Sequence, residues 1–289
     1  MPEPITKTPG TMSFGDLTRI NSNLQALDSL RHLQTTNSRL GIRQLRLATG
    51  QRINRAEDDS AGYTIAKKLE ARVRGQAKAL DNIADAKSML TVAEGSLNTI
   101  MEILQTMKEK TVQAANATMG TSERAAIKNE LDALSAEVDD IIEDTTFNGN
   151  ALFSTTGTSF TFQVNSENGD TFDVSIPTIG ATAMSVDAGS LVVTTTGDSG
   201  ETLRRVGVAI EALAGQLSGI GDSQKRLTFK HENLTTSMNN YEAARSRIAD
   251  ADFAKEQLEI VKLQILQQTG TATLAQANAA PQSILQLFQ

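Results

Sequence analysis

The chain has 289 residues, 39% hydrophobic but only 4% aromatic, with no Trp, no Cys and a formal net charge of -7. The acidic balance, with a pI near 5.0, makes nucleic acid a poor partner. The lack of Cys excludes disulfide frameworks, thiolate nucleophiles and Cys-based zinc sites. No uninterrupted apolar run approaches the roughly 20 residues that span a bilayer, so no membrane contact is expected.

Residues 1–16 contain three of the five prolines and lack the basic-then-apolar pattern of a cleavable signal peptide, so a disordered tail is expected. Leu17 to Leu47 predicts a helix: Leu17, Ile20, Leu24 and Leu27 follow 3-4-3 spacing, and Leu30, Leu33, Leu40 and Leu47 continue the stripe with some drift. Thr49 to Gly62 interrupts it with glycines and clustered charge. A second helix is predicted from about Ser60 to Thr118. There Ile83, Leu90, Leu97 and Leu104 repeat every seven residues, with Ala86, Ala93, Ile100, Met107 and Ala114 as the partner row. Met119-Gly120 breaks it, and Thr121 or Ser122 is expected to cap a third helix carrying Ile127, Leu131, Leu134, Val138 and Ile141. Asn148-Gly149-Asn150 is expected to end that helix.

From Leu152 to Thr196 helix formers give way to Thr, Ser, Val, Phe and Gly. Phe160, Phe162 and Val164 alternate with polar residues, as do Phe172, Val174 and Ile176. Asn168-Gly169 between them signals a hairpin, with Leu191 to Thr196 as a possible third strand. Helix returns from Glu201: Val206, Leu213, Ile220, Leu227, Leu234, Tyr241 and Ile248 stand seven apart, over roughly 70 Å at 1.5 Å per residue. Asp250 or Asp252 is expected to cap a final helix. Its last 27 residues, Leu263 to Gln289, carry no charged side chain, which suits a helix with neighbours on several sides better than a solvated one.

The expected fold is mainly α: a long coiled-coil or helix-bundle rod formed by the N- and C-terminal arms, with a small β-hairpin region at its tip. Its parts are a tail (1–16), a terminal coiled-coil core (17–48 with 252–289), a helical bundle (49–151 with 200–251) and a β insert (152–199).

Few residues carry chemistry. His231 falls on the Leu203, Ile210, Leu217 and Met238 row and is expected to pack at a helix interface, while His32 is expected on a helix surface. Asp139, Asp140, Glu143 and Asp144 lack the loop spacing of a calcium site and suit a solvated face. No nucleophile, metal cluster or phosphate loop supports an enzyme, and no catalytic, cofactor or metal residue is expected. The mixed charges Arg52, Arg55, Glu57, Asp58 and Asp59 suit either a helix-capping loop or an ion-pair network between subunits.

Five segments resemble a known family. The run Gln51-Arg-Ile-Asn-Arg-Ala-Glu-Asp-Asp-Ser-Ala-Gly62 and Thr146-Phe-Asn-Gly-Asn-Ala-Leu-Phe153 resemble N-terminal hallmarks of bacterial flagellin. Ser246-Arg-Ile-Ala-Asp-Ala-Asp-Phe253, Gln264-Ile-Leu-Gln-Gln-Thr-Gly270 and Leu274-Ala-Gln-Ala-Asn278 resemble its C-terminal ones, in the right order. The resemblance implies a short flagellin that self-polymerises into the flagellar filament for motility, is exported by the flagellar type III system, and works outside the cell. A flagellar cap, a junction protein and an export chaperone are the implied partners, alongside further copies of the chain. A hook–filament junction protein is the alternative. A chemoreceptor-type coiled coil would need membrane spans.

With terminal arms whose apolar faces one copy cannot cover, the residues expected to pack between subunits are Leu17, Ile20, Leu24, Leu27, Arg52, Asn54, Asp58, Asp59, Leu258, Val261, Ile265, Leu266, Leu274, Leu285 and Phe288. The arms are expected to be mobile in a free subunit and to order on incorporation. In many flagellins the segment read by the Toll-like innate receptor is Gln-Arg-x-Arg-Glu-Leu. Here it is Gln105-Thr-Met-Lys-Glu-Lys110, keeping Gln105 and Glu109, with Lys108 for Arg, Thr106 for Arg and Lys110 for Leu; Glu130 also matches. Weak recognition is the expectation.

Overall fold

The computed structural model describes residues 23–154, 157–176 and 178–287, with side chains described through Ala279. The elements are α1 (Leu24–Thr49), α2 (Ser60–Ala114), α3 (Thr121–Asp144), β1 (Thr146–Phe147), β2 (Asn150–Ala151), β3 (Thr158–Gln163), β4 (Thr171–Ile176), α4 (Thr196–Ala249) and α5 (Phe253–Leu287). The expected N-terminal tail, Leu17, Ile20 and Phe288 lie outside the described residues, as does the side chain of Leu285. The chain divides into two compact units, Met1–Lys68 with Ala244–Gln289, and Leu69–Ala243.

The core of the second unit is the heptad seam. Ile83, Ala86, Leu90, Ala93, Leu97, Ile100, Leu104, Met107 and Ala114 of α2 are all fully buried, as are Val206, Leu213 and Leu227 of α4 to within 1%. Burying each large side chain contributes about 1.5–3 kcal/mol. Polar contacts along their length fix the pairing of α2 and α4. Gln76 Nε2 donates to Ser237 Oγ at 3.2 Å, Lys87 Nζ to Thr228 Oγ1 at 3.1 Å, and Gln224 Nε2 to Glu94 Oε2 at 2.8 Å. As one helix number rises the other falls, so the two run antiparallel. Helix α3 adds Ile127, Leu131, Val138 and Ile142 to the same core.

Strands β3 and β4 pair antiparallel, with Phe160 opposite Val174 and Phe162 opposite Phe172. Phe172, Val174 and Ile176 turn inward and join the core. The Phe172 ring is flanked by cations from α4, with Arg226 4.7 Å and Lys230 5.8 Å from its centroid.

Several expectations are corrected. Helix α2 stops at Ala114, four residues before Thr118, because Arg124 reaches back: its Nε donates to the Ala114 carbonyl at 3.0 Å and its guanidinium to that of Asn116 at 3.1 Å. Helix α3 is capped by Gly120 with no side-chain cap bond, in place of Thr121 or Ser122, which fall inside it. It ends at Asp144, before the Asn-Gly pair, whose residues take φ +50° and +78° and turn the miniature hairpin β1–β2. That is the left-handed pair of a tight two-residue hairpin turn.

Residues 191–196 form no strand. Leu191 and Val193 are buried, but the backbone between them is held by a helix side chain. Val192 N donates to Thr202 Oγ1 at 3.1 Å, and that hydroxyl donates to the Val192 carbonyl at 2.6 Å. Helix α4 begins five residues before Glu201, on a reciprocal cap: Asp198 N donates to Thr195 Oγ1 at 3.1 Å and Thr195 N to Asp198 Oδ2 at 3.0 Å.

Candidate assembly surface

In the first unit, α1 and α5 lie antiparallel. Asn23 Nδ2 donates to the Ala277 carbonyl at 2.7 Å, Gln267 Nε2 to Asn37 Oδ1 at 2.8 Å, and Arg43 to Glu256 at 2.8 and 3.0 Å. On α1 the covered positions are Ala26, Ser29, Leu33, Thr36, Leu40, Arg43, Arg46 and Leu47; on α5 they are Glu256, Glu259, Ile260, Leu263, Gln267, Gly270, Leu274 and Ala277. Apart from Arg46 and Glu259, which flank the rows, both series alternate steps of three and four, the spacing of a coiled-coil seam. Among the described residues its buried apolar cluster is small: Leu40, Ile260 and Leu263, with Leu47 against them. Leu33, packed against Gly270, and Leu274 add half-buried apolar positions, and the rest is small, polar or charged.

A second set of large apolar side chains stands on the opposite faces. Leu24, Leu27, Ile42 and Leu45 of α1 are 39–48% exposed, and Leu258, Val261 and Ile265 of α5 are 44–72% exposed, with Leu266 at 48% on the flank. At 100° per residue, Leu258, Val261 and Ile265 form one stripe about half a turn away from Ile260 and Leu263. The drift in the α1 stripe has its explanation here. It is two rows, one inward through Leu33, Leu40 and Leu47, and one outward through Leu24, Leu27, Ile42 and Leu45.

The segment between α1 and α2 is held within the chain. Asp58 Oδ2 accepts from the backbone of Asn54 and Arg55, both at 3.0 Å. Asp59 Oδ1 accepts from Gly62 N at 2.9 Å and so caps α2. Asn54 Nδ2 donates to the Gln51 carbonyl at 2.8 Å. The Arg52 guanidinium donates to the Ile248 carbonyl and its backbone N to that of Ala249 at 2.7 Å, beside an isolated antiparallel bridge between Gln51 and Asp250. Of the two readings of this charge cluster, the capping loop is the one realised inside a single chain. The Arg55–Glu57 pair, 69% and 71% exposed, is left on the surface.

Asp252 caps α5, its Oδ1 accepting from Ala254 N at 3.0 Å. Of the residues expected to pack between subunits, Leu24, Leu27, Leu258, Val261 and Ile265 stand outward and Leu266 on the flank, while Leu274 sits on the seam inside the pair. Ile42 and Leu45 were missed, although they fall on the Leu24–Leu27 row. His231 is exposed, contrary to its expected place at an interface, because Leu227 and Leu234 carry the burial there; His32 is exposed as expected. Asp139 is more than solvated surface, since its Oδ1 accepts from Ala181 N at 2.8 Å.

Comparison with known proteins gives the family. Residues 20–158 match the bacterial flagellin N-terminal helical region and residues 203–288 the C-terminal helical region. The chain belongs to the bacterial flagellin family. It is 35% identical over 305 aligned residues to a flagellin of Bacillus subtilis, covering 94% of this chain and 100% of that one. A flagellin of Halalkalibacterium halodurans is 33% identical over 270 residues, covering 93% and 99%. Among solved structures, a Vibrio parahaemolyticus protein assigned to the flagellar hook-associated class aligns with a TM-score of 0.57 at 15% identity, over 67% of this chain and all of that one, a likeness of fold alone.

As a flagellin the chain is a structural subunit of the flagellar filament and not an enzyme. Among the described residues no helix is long and apolar enough to cross a membrane. In the segment that matches the innate-receptor motif, Gln105, Lys108 and Glu109 are exposed on α2. Lys110 Nζ lies 2.6 Å from Glu130 Oε1, so one departure from the motif engages one of the residues that still matches.

Proposed function

We propose that this flagellin builds the filament through the outward faces of its terminal helix pair, with the outer rows of α1 and α5 covered by other copies. The observation that carries this is a second apolar face on each helix of the pair: Leu33, Leu40, Leu47, Ile260, Leu263 and Leu274 turn inward, while Leu24, Leu27, Ile42, Leu45, Leu258, Val261 and Ile265 stand outside and uncovered. A side chain of this size gains about 1.5–3 kcal/mol on full burial, so the exposed rows are a reserve released only on association. That gain offsets the entropy of ordering the terminal arms, which are mobile in the free subunit on this reading.

The inner layer of the filament then consists of residues 17–48 and 252–289, the surrounding layer of residues 49–151 and 200–251, and the β insert of residues 152–199 faces solvent. The uncharged stretch from Leu263 onward suits a helix surrounded by its equivalents. Leu17 and Ile20 extend the outer row of α1 in sequence. Export through the flagellar type III system, growth under a cap, attachment through a junction protein and escort by a chaperone follow from the family. So does a place outside the cell.

Removing the residues after Lys262 tests the reading. The truncated chain should remain folded across α2–α4 by circular dichroism yet form no filaments under conditions that polymerise the full chain; filaments of normal length would refute it.

A further inference from the structure

The charges between α1, α5 and the segment joining α1 to α2 form one connected set. Arg43 of α1 makes a two-pronged bond to Glu256 at 2.8 and 3.0 Å. One turn on, Arg46 stands between two carboxylates, 3.9 Å from Glu256 and 3.6 Å from Asp58. The Glu256 side chain is only 6% exposed, and those of Arg46 and Asp58 are 18% and 16%. Arg46 Nε is buried with no hydrogen-bond partner. Asp58 in turn holds the amides of Asn54 and Arg55.

We infer that Arg46 is an electrostatic relay through which docking of α5 on α1 sets the conformation of residues 51–59. Without the Glu256 carboxylate, Arg43 and Arg46 lose their α5 counter-charge in a half-buried site. Arg46 then has reason to leave for solvent, and Asp58 loses the cation that steadies it over the two amides. The bonds within the segment are local, but what steadies them is the C-terminal helix, more than 190 residues away in sequence. The set is also acid-sensitive. The groups facing Asp58 are Arg46 from α1 and the amides of Arg55 and Asn54 in its own segment, where Glu57 pairs with Arg55; Glu256 is reached through Arg46. Protonating Asp58 breaks the relay at its output.

Hydrogen exchange of the full chain, free and assembled, tests this. It is read in whichever state shows the amides around Leu40, Ile260 and Leu263 protected. In that state Arg46→Met should leave α5 protected and raise exchange at Asn54 and Arg55 about tenfold. Glu256→Gln should raise exchange at the same two amides, and the double variant should add nothing beyond Arg46→Met. The α2–α4 amides report whether each variant is folded. Unchanged exchange at Asn54 and Arg55 in Arg46→Met, or additive effects in the double variant, would overturn the inference. So would a chain whose α1 and α5 amides are unprotected in both states. Failure to polymerise with the pair protected in the free chain would count against the filament reading alone.

Discussion

At the scale of single residues, the connection between α1 and α2 depends on close fits. A methyl group on Gly62 would stand 2.5 Å from Asp59 Oδ2 and 2.8 Å from Ile53 Cδ1. Gly62→Ala must therefore push aside the side chain that caps α2 or the buried Ile53, at a cost of about 1–3 kcal/mol. A lowered urea midpoint for the terminal unit should show it. Asp58 sets the pH response of the same segment. Hydrogen bonding from Arg55 N holds its carboxyl below the ordinary value of 3.8, opposed by burial and reinforced by Asn54 N and Arg46. A lowered folded pKa gives stability that is complete above the unfolded value and is lost as pH falls through the folded one. Protection of the Asn54 and Arg55 amides should thus hold at neutral pH and fall away below about pH 4; Asp58→Asn should abolish that dependence. In the receptor-like segment, Lys110→Leu frees Glu130 from its ion pair, and with Thr106→Arg restores two motif residues. The double variant should activate receptor reporter cells more strongly than the parent chain, and equal activation would remove the residue basis for weak recognition.

Among the elements, the α2–α4 seam and the α1–α5 pair differ in how they are held. Leu97 is fully buried within a continuous apolar cluster, so Leu97→Ala should cost about 2–5 kcal/mol in a denaturant titration. Leu258 is 72% exposed, so Leu258→Ser should leave the stability of the free subunit within about 0.5 kcal/mol. This contrast explains what the sequence made legible. The intervals of seven through Ile83 to Leu104 and Val206 to Leu234 predict the buried rows because both rows meet a large apolar partner. In α1 the same logic joined Leu24 and Leu27 to Leu33 and Leu40. Spacing cannot separate a row buried by the chain itself from a row kept for another chain, and the inward positions between them are Ala26, Ser29 and Thr36. The two hairpin strands were legible as alternation, whereas the extended run at Leu191 to Val193 showed the same alternation without a ladder. Its backbone partner, Thr202, belongs to a helix. The Asn148-Gly149 turn was visible as a breaker, but strands of two residues on either side are too short to show a pattern.

For the whole molecule, the distribution of apolar surface assigns different tasks to different stretches of chain. The middle buries its large side chains internally and can fold as a unit. The terminal pair buries one apolar row, leaves a second row of Leu, Ile and Val exposed, and carries no charge from Leu263 onward. A net charge of -7 helps keep such subunits apart in solution until association covers those rows. The most direct measurement is electron microscopy of the Leu258→Ser, Ile265→Ser double variant beside the unaltered chain under the same polymerising conditions, with circular dichroism on both free subunits. The account predicts equal helix content and filaments from the unaltered chain alone. Filaments of normal length and number from the double variant would contradict it.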